Sequence, residues 1–459
     1  MYFSFEIFPA YVWNEPPMVP YKIPIIGHTL DYLFNVDNFL AECKQKYGDP
    51  FNIYVFGQVT TVAGSEVAHE VYTNNAFSLF VATRDAFPLY RVLKSFDDLE
   101  TMEQVIKTIR EGITPKLSLY TGRMQKQLLF SINKEIGDCS VPKLIANNNF
   151  SIIIARPVAD IIVGQEISKN EDVVKAFADF TKDFGSILEI PPILSFIHPN
   201  LHVQAITLPL RFGWNPIRKH LLTLKKHLKP ELEKRLKEKK ILGNKYEPPM
   251  DIVQCYLNNP KYETKVITDD YLNKICEFLF IIVVASIHTT TRYTTCALYD
   301  FAGRPELWDD IYEEQVRIDK ESNGELSLQH INKMVKLDTP VPHKCMETYT
   351  LKNGMTIPKD RMVQGYLKDI HHNTSFLPYH GLENNFPASK TDKDYLIFGT
   401  GKHACPGRFF AVNEIKILMH KLILNYHIKT PSGKMEKKGY YGPFAILPDT
   451  GITFENRKK

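Results

Sequence analysis

Between Phe398 and Gly407 the chain reads Phe-Gly-Thr-Gly-Lys-His-Ala-Cys-Pro-Gly, and no other stretch constrains the fold as strongly. The glycines mark a tight loop, with Gly401 permitting the turn. Behind it, Phe409, Val412, Ile415, Leu418, Leu422 and Ile423 recur at helical spacing, which predicts a helix over 408–423 with these residues on one side. Pro406 suits the first helical position, where a missing N–H costs nothing. Cys405 then faces the free amides and positive end of that helix, which favour a thiolate. The competing reading of a lone cysteine is a buried, inert hydrophobe. A thiolate so delivered suits axial ligation of haem iron, and Gly407 lets a flat macrocycle approach the backbone.

This segment resembles the cysteine-ligand loop of the cytochrome P450 family, Phe-x-x-Gly-x-His/Arg-x-Cys-x-Gly. Phe398, Gly401, His403, Cys405 and Gly407 fill every fixed position. The resemblance implies a mainly α fold with a small β region and a bound heme b. Cys405 would ligate its iron, His403 would hold a propionate and Phe398 would shield the sulfur.

At 459 residues, with neither linker nor repeat, the chain reads as one large domain over 15–459 after a short apolar segment, 1–14. A net charge of +4 argues against a nucleic-acid partner. Seven cysteines without a Cys-x-x-Cys pair argue against a disulfide framework or a zinc ribbon, and fit a protein facing reducing cytosol. Met1 to Trp13 is apolar apart from Ser4 and Glu6, shorter than the ~20 residues of a helical span and without a secretory pattern. The extended Glu15-Pro16-Pro17-Met18-Val19-Pro20 stretch is similar to the hinge that follows the anchor helix of eukaryotic membrane-bound members. That likeness implies the cytosolic face of the endoplasmic reticulum membrane.

A buried helix is expected over Tyr271–Phe301, around the apolar run Phe278–Ala285. Inside it stands Ala285-Ser286-Ile287-His288-Thr289-Thr290-Thr291. Threonine hydroxyls in a helix can simply bond back to carbonyls a turn earlier, leaving His288 a core histidine. The family's central helix carries Ala-Gly-x-Asp/Glu-Thr-Thr, which Ala285, Thr289 and Thr290 match, with His288 for the acid and Ser286 for the glycine. The His-Thr pair is similar to that of sterol 14-demethylases and related fungal enzymes. By resemblance, Thr289 hydrogen-bonds dioxygen and water while His288 relays protons, a task suited to imidazole.

Two family elements are not found. The Glu-x-x-Arg helix is expected after Leu337-Asp338, where Thr339-Pro340-Val341-Pro342 stands instead. Glu314 to Arg317 has the spacing but reads as a solvated helix face. Glu383-Asn384-Asn385-Phe386-Pro387 lacks the second arginine of the ion-pair cluster. Downstream, Thr348 to Pro358 reads as a hairpin around Asn353-Gly354, and Tyr440 to Gly451 as a turn-rich hairpin. Lys225 to Lys240 reads as a solvated basic helix face. Lys402, Arg408 and Lys416 flank the cysteine loop and would attract an acidic electron donor. Trp214 and Arg218 have a propionate-binding spacing, but Pro216 interrupts them.

The activity so implied is insertion of one atom of dioxygen into an apolar sterol, terpenoid or fatty acid, with electrons from NADPH through NADPH–cytochrome P450 reductase. Two alternatives stand beside it: a non-catalytic remnant, because of the absent ion-pair cluster, and a haem-thiolate isomerase, against which Thr289 counts.

Overall fold

The computed structural model describes residues 14–457 except 79, 83–92, 94–97, 189–192, 198, 306–307, 335–342, 345–348, 351–352, 354, 358–361, 366–388, 392–397, 402–403, 435, 437–438, 442–443 and 447. The described part is mainly helical with small sheets, as the sequence implies.

The helical elements run α1 (Thr29–Phe34), α2 (Val36–Tyr47), α3 (Ala68–Thr73), α4 (Leu99–Thr108), α5 (Leu117–Glu135), α6 (Asn147–Val163), α7 (Glu171–Leu188), α8 (Pro199–Arg211), α9 (Arg218–Leu242), α10 (Ile252–Leu257), α11 (Asp269–Val283), α12 (Thr289–Ala302), α13 (Trp308–Ser322), α14 (Leu328–Asn332) and α15 (Arg408–Asn425). Strands β1 (Phe51–Val55), β2 (Gln58–Ala63), β4 (His343–Lys344) and β7 (Met362–Gly365) form a sheet of order β1-β2-β7-β4, in which only β2 and β7 are parallel. A second sheet, β3 (Lys143–Ile145), β11 (Ile452–Asn456) and β8 (Tyr426–Lys429), is antiparallel throughout. The two expected hairpins are present: β5 (Tyr349–Thr350) pairs with β6 (Thr356–Ile357), and β9 (Gly439–Tyr441) with β10 (Phe444–Ile446).

The central helix is longer than its apolar run. Thr268 caps α11 by accepting the Tyr271 N–H, and Asp269 and Asp270 complement the positive helix end. α11 continues through a π-turn, Val284–His288, into α12, giving one helical run over Asp269–Ala302. By length and composition that run could cross a membrane, yet it is packed within the fold. Phe280 stacks on Phe180 at 4.1 Å, and Phe278, Leu279, Phe280 and Val283 are buried in the main core. The Ser286 hydroxyl donates to the Ile282 carbonyl at 2.7 Å inside the π-turn, the kind of back-bonding that disturbs a regular ladder.

α15 departs from expectation. It begins at Arg408, with Gly407 as N-cap and Pro406 outside the helix. Its predicted apolar side is buried in its second half, at Leu418, Leu422 and Ile423, but only half-buried at Phe409, Val412 and Ile415, whereas Asn413, Glu414, Lys416 and His420 on its other sides are buried as well. The helix is enclosed by α5, α12, α13 and α14, so a one-sided apolar pattern misreads it. Lys416 is 3% exposed and donates to the Ile331 carbonyl, so it offers no surface charge to an electron donor.

Candidate haem-thiolate site

The cysteine loop is closed by its own backbone. The Cys405 N–H donates to the Phe398 carbonyl at 2.7 Å and the Ala404 N–H to the Gly401 carbonyl at 3.3 Å. Gly399 and Gly401 adopt φ of +68° and +58°, which explains glycine at both positions. Thr73, at the end of α3, lies against Gly401. Gly407 has φ of −86°, and a Cβ there would stand 4.0 Å from the Cys405 sulfur, an ordinary contact, so neither backbone angle nor protein crowding demands glycine at this position.

The Gly407 and Arg408 amides, at the start of α15, lie beside Sγ of Cys405 and favour its thiolate. Burial nevertheless pushes the thiol above its ordinary value, with the two amides and the Arg408 guanidinium pulling the other way. The thiolate-favouring groups expected from sequence are therefore in place, but in the bare protein they are outweighed by desolvation. A sulfur buried among backbone donors suits a bond to a cationic metal, whose charge supplies the missing compensation.

Cations gather around this loop. Arg408 donates to the Cys405 carbonyl at 2.9 Å and the Ser389 carbonyl at 3.1 Å. Arg110, on the π-turn Ile109–Ile113, is close enough for its charge to help hold Arg408 below its usual value, after burial. The same segment reaches the loop through the Thr114 hydroxyl, 3.4 Å from the Pro406 carbonyl. Cationic side chains beside a buried thiol fit a metal group with anionic edges, as haem b has. Sequence spacing gave no hint of Arg110 or Thr114, because each meets the loop from the other end of the chain, Thr114 across 292 residues.

The central helix supplies the facing wall. Ala285, His288 and Thr289 are exposed while Ile287 and Thr290 are buried, so one stripe opens outward from the core. Tyr293, one turn beyond Thr289, lies near Cys405, whose charge adds to the burial that raises its phenol. The helical spacing of Thr289 and Tyr293 was a usable signal that the sequence reading passed over. His288 is ringed by protein while keeping accessible surface, as a cleft wall does. Desolvation, then Arg292, holds its imidazole below the usual value. The Thr289 hydroxyl donates to the Ala285 carbonyl at 2.6 Å, the back-bond anticipated as the bland reading. Its proton is thereby committed, and its oxygen remains an acceptor.

Thus Phe398, Gly401, Cys405 and Gly407 form one loop, and Thr289 and His288 lie on the helix that passes it. His403 and Lys402 lie outside the described residues, as do Thr339-Pro340-Val341-Pro342 and Glu383–Pro387. Glu314 is half-buried and Arg317 exposed on α13, where Arg317 lies 4.0 Å from Glu321. Trp214 is exposed, and Arg218 is the first residue of α9. The basic face of α9 is solvated as expected, except at Arg235, which is 3% exposed and ion-paired.

The cytochrome P450 family model matches residues 16–454. The cytochrome P450 monooxygenase BOA4 of Botryotinia fuckeliana is 25% identical over 97% of this chain and 93% of its own length. The monooxygenase olcJ of Penicillium canescens is 25% identical over 74% of this chain and 68% of its own. An ent-kaurene oxidase of Gibberella intermedia is also 25% identical, over 77% and 70% respectively. With a family match across nearly its whole length, a cysteine loop of the family pattern and a mainly helical fold, the chain belongs to the cytochrome P450 family of haem-thiolate monooxygenases.

Proposed function

We propose that this chain, as a single domain, inserts one atom of dioxygen into a C–H bond of a lipophilic substrate, a sterol, terpenoid or fatty acid, while the second oxygen leaves as water. The reading is carried by the Cys405 sulfur, flanked by two backbone amides at the head of α15 and faced by the Thr289 stripe of the central helix. Bound haem b supplies the oxygen chemistry, and thiolate ligation favours it.

The chain's own residues would divide the remaining work. Cys405 ligates the iron, and Phe398 closes the loop through its carbonyl and shields the sulfur. Arg110 and Arg408 would offer positive charge to the anionic edge of the group, with His403 assigned to a propionate by the family pattern. Thr289, its proton fixed on Ala285, would offer its oxygen as a hydrogen-bond acceptor to a protonated group in the cleft. His288 is held neutral near pH 7 by its surroundings, so it can take up a proton and pass it on. NADPH–cytochrome P450 reductase would deliver the electrons.

Attachment to the cytosolic face of the endoplasmic reticulum membrane is supported by exposed apolar surface. Ile23, Ile25 and Phe34 near the start of the described chain, and Ile193, Ile197, Phe212 and Trp214 farther on, are all exposed. The neighbourhoods of these patches meet where Gly57 packs closely on the Ser195 carbonyl and Phe56 on Phe196.

The remnant reading is favoured by one observation: only ten residues, with two prolines, separate the end of α14 at Asn332 from β4 at His343. We read this as loss of the family's Glu-x-x-Arg helix. An isomerase reading is disfavoured by Thr289, which such enzymes dispense with. The deciding experiment is the carbon monoxide difference spectrum of the reduced protein, for the parent and for Cys405→Ser. A strongly red-shifted Soret band in the parent that Cys405→Ser abolishes supports the monooxygenase. An unshifted band, or no haem, leaves the remnant.

A further inference from the structure

Glu414 lies two turns into α15, the helix that starts beside Cys405. It is 0% exposed, and neither carboxylate oxygen has a hydrogen-bond partner among the described residues. The charged groups nearby are engaged elsewhere. Lys416 donates to the Ile331 carbonyl, His420 lies between Gln315 and Asp319, and Lys421 reaches Asp319 and the Gly324 carbonyl. From α5, the side chains that meet the neighbouring Asn413 are Thr121 and Met124, neither of them charged. An ionised carboxylate in such a place would be a bare buried charge, which proteins avoid by pairing it or neutralising it.

We propose that Glu414 is an internal proton-binding site: the folded protein carries it as the neutral acid at neutral pH. Burial alone drives this, since among the described residues no charge bears on its ionisation. The consequence reaches the haem-thiolate site. The start of α15 presents its positive end to Cys405, and an anion inside the same helix would oppose that field. A neutral Glu414 leaves it intact. It also makes the seating of α15 pH-dependent. The folded state holds the proton to higher pH than the unfolded chain, so the stability this contributes is complete below the unfolded-state value. It is lost progressively as pH rises towards the folded-state value.

The test compares the full-length parent with Glu414→Gln, a neutral side chain of nearly the same shape. In denaturant titrations from pH 5 upwards, the parent's folding equilibrium constant should fall relative to the variant's by about tenfold per pH unit until the folded-state pKa is passed. Infrared difference spectra at pH 7 should show a protonated carboxyl C=O band in the parent that is missing from Glu414→Gln. The proposal is overturned if that band is absent. It is equally overturned if Glu414→Gln is the less stable protein and its deficit grows with pH, because Glu414 would then be an ionised partner of a cation. Neither readout needs haem, so failure here is distinct from failure of the monooxygenase reading.

Discussion

Replacing Asp251 by alanine should be among the most damaging single changes outside the cysteine loop. Its side chain is 0% exposed, and it receives both arms of Arg235, Nη1 to Oδ1 at 2.8 Å and Nη2 to Oδ2 at 2.7 Å. Oδ1 also accepts the Gln254 N–H at 2.8 Å and so caps α10. Gly164, at the end of α6, makes room for the pair: a Cβ there would fall 2.4 Å from Oδ2, and its φ is +86°. One carboxylate therefore joins α6, α9 and α10. Removing it strands a guanidinium that is 3% exposed and keeps only Glu231, at 2.8 Å from Nε. Stranding a buried charge costs ~3–5 kcal/mol and loss of the cap about 1 more. The bond to Glu231 offsets part of this, giving about 4 kcal/mol in all. Urea unfolding followed by circular dichroism would measure it as a lower midpoint at unchanged slope. Asp251→Ala with Arg235→Met should recover most of the loss, because the cost lies in the unpaired charge. A loss below about 1 kcal/mol, or a double variant no better than the single, would refute the reasoning.

Three further outcomes follow from local geometry. Gly112→Ala places a Cβ 2.8 Å from the Cys255 sulfur and should lower stability by about 1–3 kcal/mol in thermal unfolding, with Cys255→Ala in the same chain relieving the loss. Thr289→Ala should leave the carbon monoxide difference spectrum unchanged while product formed per NADPH consumed falls by about 10²-fold, as expected when a positioned proton-handling group is removed. His420, fully buried, is pushed down to about 4 by burial and then by Lys421, against the pull of Asp319. It resists protonation when folded, so stability should fall by about 3 kcal/mol as pH drops from about 6.5 towards 4, and His420→Gln should flatten that slope.

Local chemistry was legible in the sequence wherever one short segment carried it. The cysteine loop needs only ten consecutive residues to state its turn, its ligand and its helix, and the structure builds that loop from Phe398, Gly401 and Cys405. The two hairpins were legible for the same reason. The central helix was legible in kind, but its π-turn was not, because no residue pattern separates a π-turn from the α-helix around it. What failed was inference about neighbours. Lys416 read as a surface cation because charge usually means solvent, yet four other helices surround α15 and turn its amine to the Ile331 carbonyl. Arg235 vanished into a basic run for the same reason. Its buried partner Asp251 is 16 residues away, at the cap of another helix. The thiolate expectation weighed the helix end correctly and omitted burial, a quantity that only the assembled fold defines.

Loss of the family's Glu-x-x-Arg helix would bear on function only if the cysteine loop depended on it. The loop's described supports come from elsewhere. Thr73 meets Gly401 from α3, Thr114 reaches Pro406 from the segment before α5, and Asn413 of α15 donates to Thr121 on α5 at 3.1 Å. Arg408 ties the loop to Ser389 on its other side. Nor does the sheet need a helix between α14 and β4 to stay in register. β7 pairs with β2 from Thr60↔Met362 to Ala63↔Gly365, and β4 joins β7 at His343↔Val363. Each contact links distant halves of the chain without passing through 333–342. A deletion there would thus remove a brace while sparing the loop's own anchors, and would leave local geometry around Cys405 that still suits a thiolate ligand. The position of the Soret band then measures whether these anchors suffice, since no contact made by Cys405 itself distinguishes the enzyme from its remnant.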